Sequence, residues 1–192
     1  FPAAHSLNNF YANQHKDGLI VRQITLQGDD AVMGDPALIF PPLFSWAEME
    51  NYKITPDKDR LRQVLPVLEK YVEYIEGYHR GWDTEHQLYW THGYASGMDN
   101  TPRDNGRPNG HSSSDHQGWT DLSAQMVIQS KNIADLCHEL GESEKETYYR
   151  NMANEIGKRI NQFMWNEADG LYYDVDVDSR QTFHKTIACF WP

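Results

Sequence analysis

Residues 165–174 read WNEADGLYYD, and residues 82–90 read WDTEHQLYW. Laid over one another at an offset of 83 residues, they pair Trp82 with Trp165, Glu85 with Ala168, Leu88 with Leu171 and Tyr89 with Tyr172. The earlier segment ends a helical run and turns back in a hairpin-like way, and a helical run of comparable length precedes the later one. That interval is too long for one helix pair and right for two. Paired helices that recur with a short hairpin at the end of the unit describe an α/α toroid. The fold class expected from this stretch is therefore all-α.

The helices themselves are read from apolar spacing. The chain starts amphipathic, in FPAAHSLNNFYA, and GLIVRQITL at 18–26 alternates enough for a short strand or extended segment. From Pro42, the residues Leu43, Phe44, Ala47 and Met49 mark a helix. Thr55 and Pro56 predict the N-cap and first position of the next one. Pro66 predicts a break near Val64 and a second start there, after which Val67, Leu68, Val72 and Ile75 carry a face to about His79. A long loop then runs from Gly93 to about Gly118, and loops of that length are commonly functional or disordered. Leu122, Met126, Ile133, Leu136 and Leu140 trace a helix from Thr120 that Gly141 can close. Ser143 with Glu146 predicts a capping box, and Met152, Ile156, Ile160 and Phe163 face the last helix inward.

Composition narrows the function. With 192 residues and 39% hydrophobic content, the chain can bury a sizeable core. Its net charge of -11 offers no basic stripe for phosphates, which excludes nucleic acid as a partner. The same charge disfavours an anionic membrane surface, and no apolar run approaches the roughly 20 residues that span a bilayer. Cys137 lies in a helical stretch and reads as a free buried thiol, and two cysteines leave the compartment open. Six tryptophans and eleven tyrosines suit either a core or the stacking of sugar rings. Both ends, FPAAHSLNNFYA and FHKTIACFWP, read as pieces of a longer protein.

The chemistry concentrates in THGYASGMDNTPRDNG, residues 91–106. So many glycines with Asp99, Asn100 and Arg103 suit neither a helix nor a buried strand, and imply a loop that fixes a few polar groups. Asp99 is open to two readings. It forms a turn among glycines, or it lies desolvated by Tyr94 and Met98 at a cavity mouth, protonated and ready to donate to a leaving oxygen. Glycosidic bonds need such a donor and a second carboxylate on the opposite face.

The segments PPLFSWAEMENY, YASGMDNTPR, WTDLSAQMVIQSKNIADLCHELG and FMWNEADGLYYDVD together resemble the inverting α-glycosidases of the mannosyl-oligosaccharide glucosidase and trehalase type, glycoside hydrolase families 63 and 37. The likeness covers nearly the whole chain, and S-G-M-D-N-x-P-R is its most specific part. It implies an (α/α)6 barrel, present here as roughly half, with residues 1–192 forming part of one catalytic domain that is incomplete at both ends. It also implies a carbohydrate substrate bound at one end of the toroid and hydrolysis of an α-glucosidic bond with inversion, with Asp99 as general acid. The substrate-binding set that follows is Trp46, Glu48, Tyr94, Asn100, Arg103, Trp119 and Asp121.

Several of these keep a structural alternative. Trp46 stacks on a pyranose or is a core residue, and Glu48 binds hydroxyls or is solvated. Asn100 and Arg103 orient Asp99 or bind sugar hydroxyls, with a structural clamp on the loop as the alternative for Arg103, and Asp121 faces the pocket or caps a helix. The family's general base, a glutamate well towards the C-terminal part of the barrel, matches no segment here. The chain alone is therefore expected to be inactive, with the remainder of its own barrel as its partner. The competing class is a carbohydrate-binding toroid without catalysis. No cofactor is implied. Asp174, Asp176 and Asp178 on one side of an extended segment are a minor calcium candidate. His111, Asp115 and His116 read as a polar loop in preference to a zinc site. Ser112 to Ser114 lack the context of a nucleophile. Export to a bacterial periplasm or medium is one option for location.

Overall fold

The computed structural model describes residues 2–26, 28–29, 39, 41–91, 96–98, 101–104 and 117–192. Five α-helices organise them: α1 (Pro2–Ala12), α2 (Phe44–Ile54), α3 (Lys58–Tyr78), α4 (Thr120–Leu140) and α5 (Ser143–Arg159). The strands are two-residue pieces. β1 (Ile24–Thr25) pairs antiparallel with β2 (Gly28–Asp29), and β3 (Trp165–Asn166) with β4 (Leu171–Tyr172). The all-α expectation holds.

α4 is the central helix, and its sequence explains why. Thirteen of its 21 residues are buried, including Ser123, Ala124, Gln125, Gln129, Ser130 and Ala134. Small and polar side chains around the whole circumference let neighbours approach on every side, and α2, α3 and α5 all pack there. The polar ones need partners once water is gone. Gln129 supplies one: its Oε1 accepts from the Ser45 hydroxyl at 2.7 Å and the Ser45 N–H at 3.2 Å, tying α2 to α4. Gly141, in the left-handed conformation at φ 77°, ends the helix and sends its N–H back to the last turn. α5 then returns antiparallel against α4, and Cys137 is a free buried thiol in the seam.

α3 differs from the reading of its sequence at both ends of its first half. Its N-cap is Asp57, two residues beyond Thr55, with the carboxylate accepting from the N–H groups of Asp59 and Arg60 at 3.0 Å. An aspartate that reaches two donors displaces a threonine that reaches none. The helix also runs through Pro66 unbroken. Pro66 and Arg62 are both exposed, so the carbonyl that loses its donor faces water. Leu61, Val64, Leu65, Leu68, Val72 and Ile75 keep one continuous buried stripe opposite. The expected capping box of α5 is absent as well. Ser143 is already its first helical residue, which puts Glu146 one position too far to reach back. Glu146 instead meets His138 and Arg150, each at 3.0 Å.

The repeat is real, with a correction to its register. In the first hairpin Trp90 N–H donates to His79 O at 2.8 Å, and in the second Tyr173 N–H donates to Met164 O at 2.9 Å. The returning arms thus correspond at 83 residues (Trp90 to Tyr173), and the outgoing arms at 85 (His79 to Met164). Arg80, bridged to Tyr89, is the counterpart of Trp165, which pairs with Tyr172. Trp82 lies in the longer first loop, its indole N–H on Glu76 O at 2.7 Å and the Arg80 guanidinium over its ring at 4.1 Å.

Both hairpins converge on the start of α4. Trp119 N–H donates to Tyr89 O at 2.8 Å, and Gly118 exchanges two 2.9 Å hydrogen bonds with Val175. A Cβ at position 118 would stand 2.7 Å from Val175 Cγ2 and 3.1 Å from Leu88 Cβ, so only glycine passes between them.

Candidate active site

Arg103, four residues after Asp99 in the sequence, is fixed from three directions. Arg103, in a 3-10 turn at Pro102–Asp104, is almost wholly buried. One edge of its guanidinium meets Asp174, Nε at 2.7 Å and Nη2 at 2.8 Å. The other edge meets Asp121, Nη2 at 2.7 Å and Nη1 at 3.0 Å. Two bidentate pairs on one fork are a use to which lysine is unsuited. The ring of Trp119 lies against the same guanidinium at 4.3 Å.

The second carboxylate is balanced by a helix end. Asp174 Oδ1 accepts from the Thr120 N–H at 2.8 Å and the Thr120 hydroxyl at 3.0 Å. Thr120 opens α4, whose N-cap residue Trp119 supplies no side-chain acceptor. Asp174 therefore caps α4 from a distant part of the chain, where the helix dipole favours a negative charge. Burial opposes the charge of Asp174, but Arg103 and both Thr120 donors outweigh it and hold its carboxyl below the ordinary aspartate range. Burial likewise works against the Arg103 charge, and the two aspartates more than offset it, so the guanidinium is held firmly protonated.

Upstream, Met98 N–H donates to Ser96 Oγ at 3.0 Å. Met98 O accepts from the Thr101 hydroxyl at 3.1 Å and the Thr101 N–H at 3.2 Å. These residues flank Asp99 and Asn100, which lie outside the described residues, as do Tyr94, His111, Asp115, His116 and Ser112 to Ser114.

Of the other residues expected at the site, the structure gathers Arg103, Trp119 and Asp121 into one cluster. Asp121 is not the N-cap of α4: it stands in the first turn and points its carboxylate at Arg103. Trp119 is buried, and its indole Nε1 has no partner among the described residues. Trp46 stands 49% exposed on α2. Glu48, two positions on, is 0% exposed. Arg60 donates to both of its oxygens, Nη2 to Oε1 at 2.6 Å and Nε to Oε2 at 2.7 Å, and the Tyr11 hydroxyl adds a bond to Oε1 at 2.9 Å. Neither a solvated nor a sugar-facing glutamate describes this. Glu48 joins α1, α2 and α3, because a carboxylate without water must keep its countercharge.

Sequence reasoning missed Asp174 as a member of the cluster. Its alternation with Asp176 and Asp178 suggested one acidic face, yet the three diverge. Asp176 accepts from the backbone N–H groups of Asp178 and Arg180, and Asp178 pairs with the Arg180 side chain. Among the described residues no group of three or more His, Cys, Asp or Glu gathers as a metal-ligand set. The available signal was the setting of Asp174 between Tyr173 and Val175, both fully buried.

The family model for the mannosylglycerate hydrolase MGH1-like glycoside hydrolase domain matches residues 3–192. The chain belongs to that family. An uncharacterized protein of Borreliella burgdorferi is 28% identical over 195 residues, spanning 100% of this chain and 38% of its own length. Two structures of the family 63 mannosylglycerate hydrolase from Thermus thermophilus share the fold. One, in complex with Tris and D-glycerate, has a TM-score of 0.72 at 16% identity and covers 97% of this chain and 60% of that one. The other, in complex with glucose, has a TM-score of 0.70 at 17% identity and covers 97% and 58%. This family domain is thus part of an (α/α)6 toroid, and the chain spans less than two thirds of each of these relatives.

Proposed function

We propose that the whole protein carrying this chain hydrolyses an α-linked hexopyranoside, with Asp99 donating the proton to the leaving oxygen. The carrying observation is the family match across residues 3–192, which includes the S-G-M-D-N-x-P-R loop. In the reaction the glycosidic C–O bond breaks as Asp99 protonates its oxygen. A water activated by a carboxylate outside this chain bonds to the anomeric carbon from the opposite face, giving inversion. That geometry needs the two carboxyls about 6.5–9.5 Å apart.

Trp46 is the platform proposed for a pyranose ring, since half of its surface is open to a ligand. Trp119 is buried with its ring against Arg103, so its proposed part is to back the Arg103 cluster and not to touch the sugar. Tyr94 and Asn100 complete the proposed contacts by their closeness to Asp99 in the chain. The complexes of the Thermus enzyme make a glucoside and a mannosyl glycerate the first two compounds to try.

Asp99→Asn in the whole protein should abolish hydrolysis, by about a thousandfold or more, while sugar binding measured by calorimetry survives. Retained turnover would sink the proposal. NMR of the first product anomer tests inversion separately: an α-linked substrate should give the β anomer first.

A further inference from the structure

We infer that Asp174, through Arg103, is a positioning residue for the general acid. This rests on Asp99 being that acid. Met98 and Thr101, on either side of Asp99 and Asn100 in the chain, are bonded to each other, the Thr101 N–H donating to Met98 O at 3.2 Å, and Thr101 stands two residues before Arg103. Arg103 is immobilised by bonds to Asp174 and Asp121, whose own positions are set by the start of α4. Asp174 belongs to the returning arm of the second hairpin, 71 residues from Arg103. The second repeat unit therefore holds a loop that follows the first.

The placement of the charges fits such a device better than a stability device. One guanidinium between two buried carboxylates leaves a net negative charge, which hydrophobic residues of the same volume would avoid. What the arrangement supplies is direction. Two bidentate edges fix the plane of the guanidinium, and Thr120 fixes one of the two carboxylates through a backbone and a hydroxyl donor. Catalytic groups lose up to about a hundredfold in rate when displaced by about 1 Å.

Leaving-group chemistry reads the position of an acid directly. An alkyl glycoside needs a proton on its departing oxygen, whereas a glycosyl fluoride loses fluoride without one. The variants Asp99→Asn, Asp174→Asn and Thr120→Val should be made in the whole protein and assayed on both substrate types. Thr120→Val removes the hydroxyl bonds to Asp174 and Arg103, keeps the backbone bond and preserves side-chain volume, so it covers the case in which Asp174→Asn does not fold.

Asp174→Asn should lower kcat on the alkyl glycoside about tenfold to a hundredfold, with KM within about twofold, and lower kcat on the fluoride far less. Thr120→Val should show the same pattern at smaller amplitude. Equal losses on both substrates, or no loss, in folded variants would overturn the inference if Asp99→Asn itself discriminates between them. If Asp99→Asn does not discriminate, the general-acid assignment fails and this inference falls with it.

Discussion

Asp174 accepts the backbone N–H of Thr120 at 2.8 Å across 54 residues of sequence, so the first donor of α4 is capped by the second hairpin. The contact joins three things that would otherwise be separate: the central helix, the repeat that follows it and the Arg103 loop. Its energetics should be visible in pH.

Asp174 has a lowered carboxyl pKa in the fold. A lowered carboxyl contributes stability above its unfolded value, about 3.9, and that contribution is lost as pH falls through the native value. Urea unfolding should therefore show stability falling below about pH 4. Asp174→Ala should cost about 2–3 kcal/mol at pH 7, because it uncaps the Thr120 N–H and removes two charge-assisted bonds from buried Arg103, and should flatten the acid slope. Stability at pH 7 equal to the parent's would contradict the clamp.

Glu48 and Arg60 make a second buried pair of different purpose. Arg60→Ala leaves a 0% exposed carboxylate without its countercharge, and should cost about 3 kcal/mol. Tyr11→Phe removes one hydrogen bond to the same oxygen and should cost about 1–2 kcal/mol. Thermal unfolding of the two variants checks the order. A larger loss from Tyr11→Phe would mean that the Tyr11 hydroxyl, and not the Arg60 guanidinium, is the chief partner of Glu48.

Two glycine substitutions should differ in sign. Gly118→Ala drives a methyl against Val175 Cγ2, Leu88 Cβ and Met164 Cε, and should destabilise by about 1–3 kcal/mol. Gly157→Ala in α5 meets nothing within 4 Å and should stabilise by about 0.5–1 kcal/mol through helix propensity. Denaturant midpoints at constant m-value decide both.

Pro66 is tolerated in α3 because its side of the helix faces water, but its missing N–H still costs. Pro66→Ala should raise stability by about 1–2 kcal/mol, less than the full helix-propensity difference because the unfolded chain regains freedom. A destabilised variant would mean that the proline packs against a neighbour.

Much of the fold was legible because it rests on periodicity. The faces of α3, α4 and α5 follow from apolar residues spaced three and four apart, and the closure at Gly141 follows from the conformation that glycine alone adopts freely. Helix starts were less legible. Thr55, Pro56 and Ser143 all have the chemistry of helix starts, but the true starts are decided by which side chain finds free N–H groups in three dimensions. Asp57 won at α3, and at α4 the acceptor came from outside the local sequence. The repeat is visible through its returning arm, and its outgoing arm is misregistered because two tryptophans happen to match at one offset while the loop lengths differ.

By itself, the sequence determined the all-α class, the recurring hairpins and the contiguous motif that carries Asp99, since each is written in local spacing or in neighbouring residues. Tertiary structure alone decided the partners of the charges. Arg103 reads equally well as a sugar contact or a clamp, Glu48 as a solvated or a pocket carboxylate, and Asp174 as one tooth of an acidic strand. Burial separates these readings. A charge removed from water must find its counterpart wherever the fold brings one, and for Arg103 that counterpart lay 71 residues away.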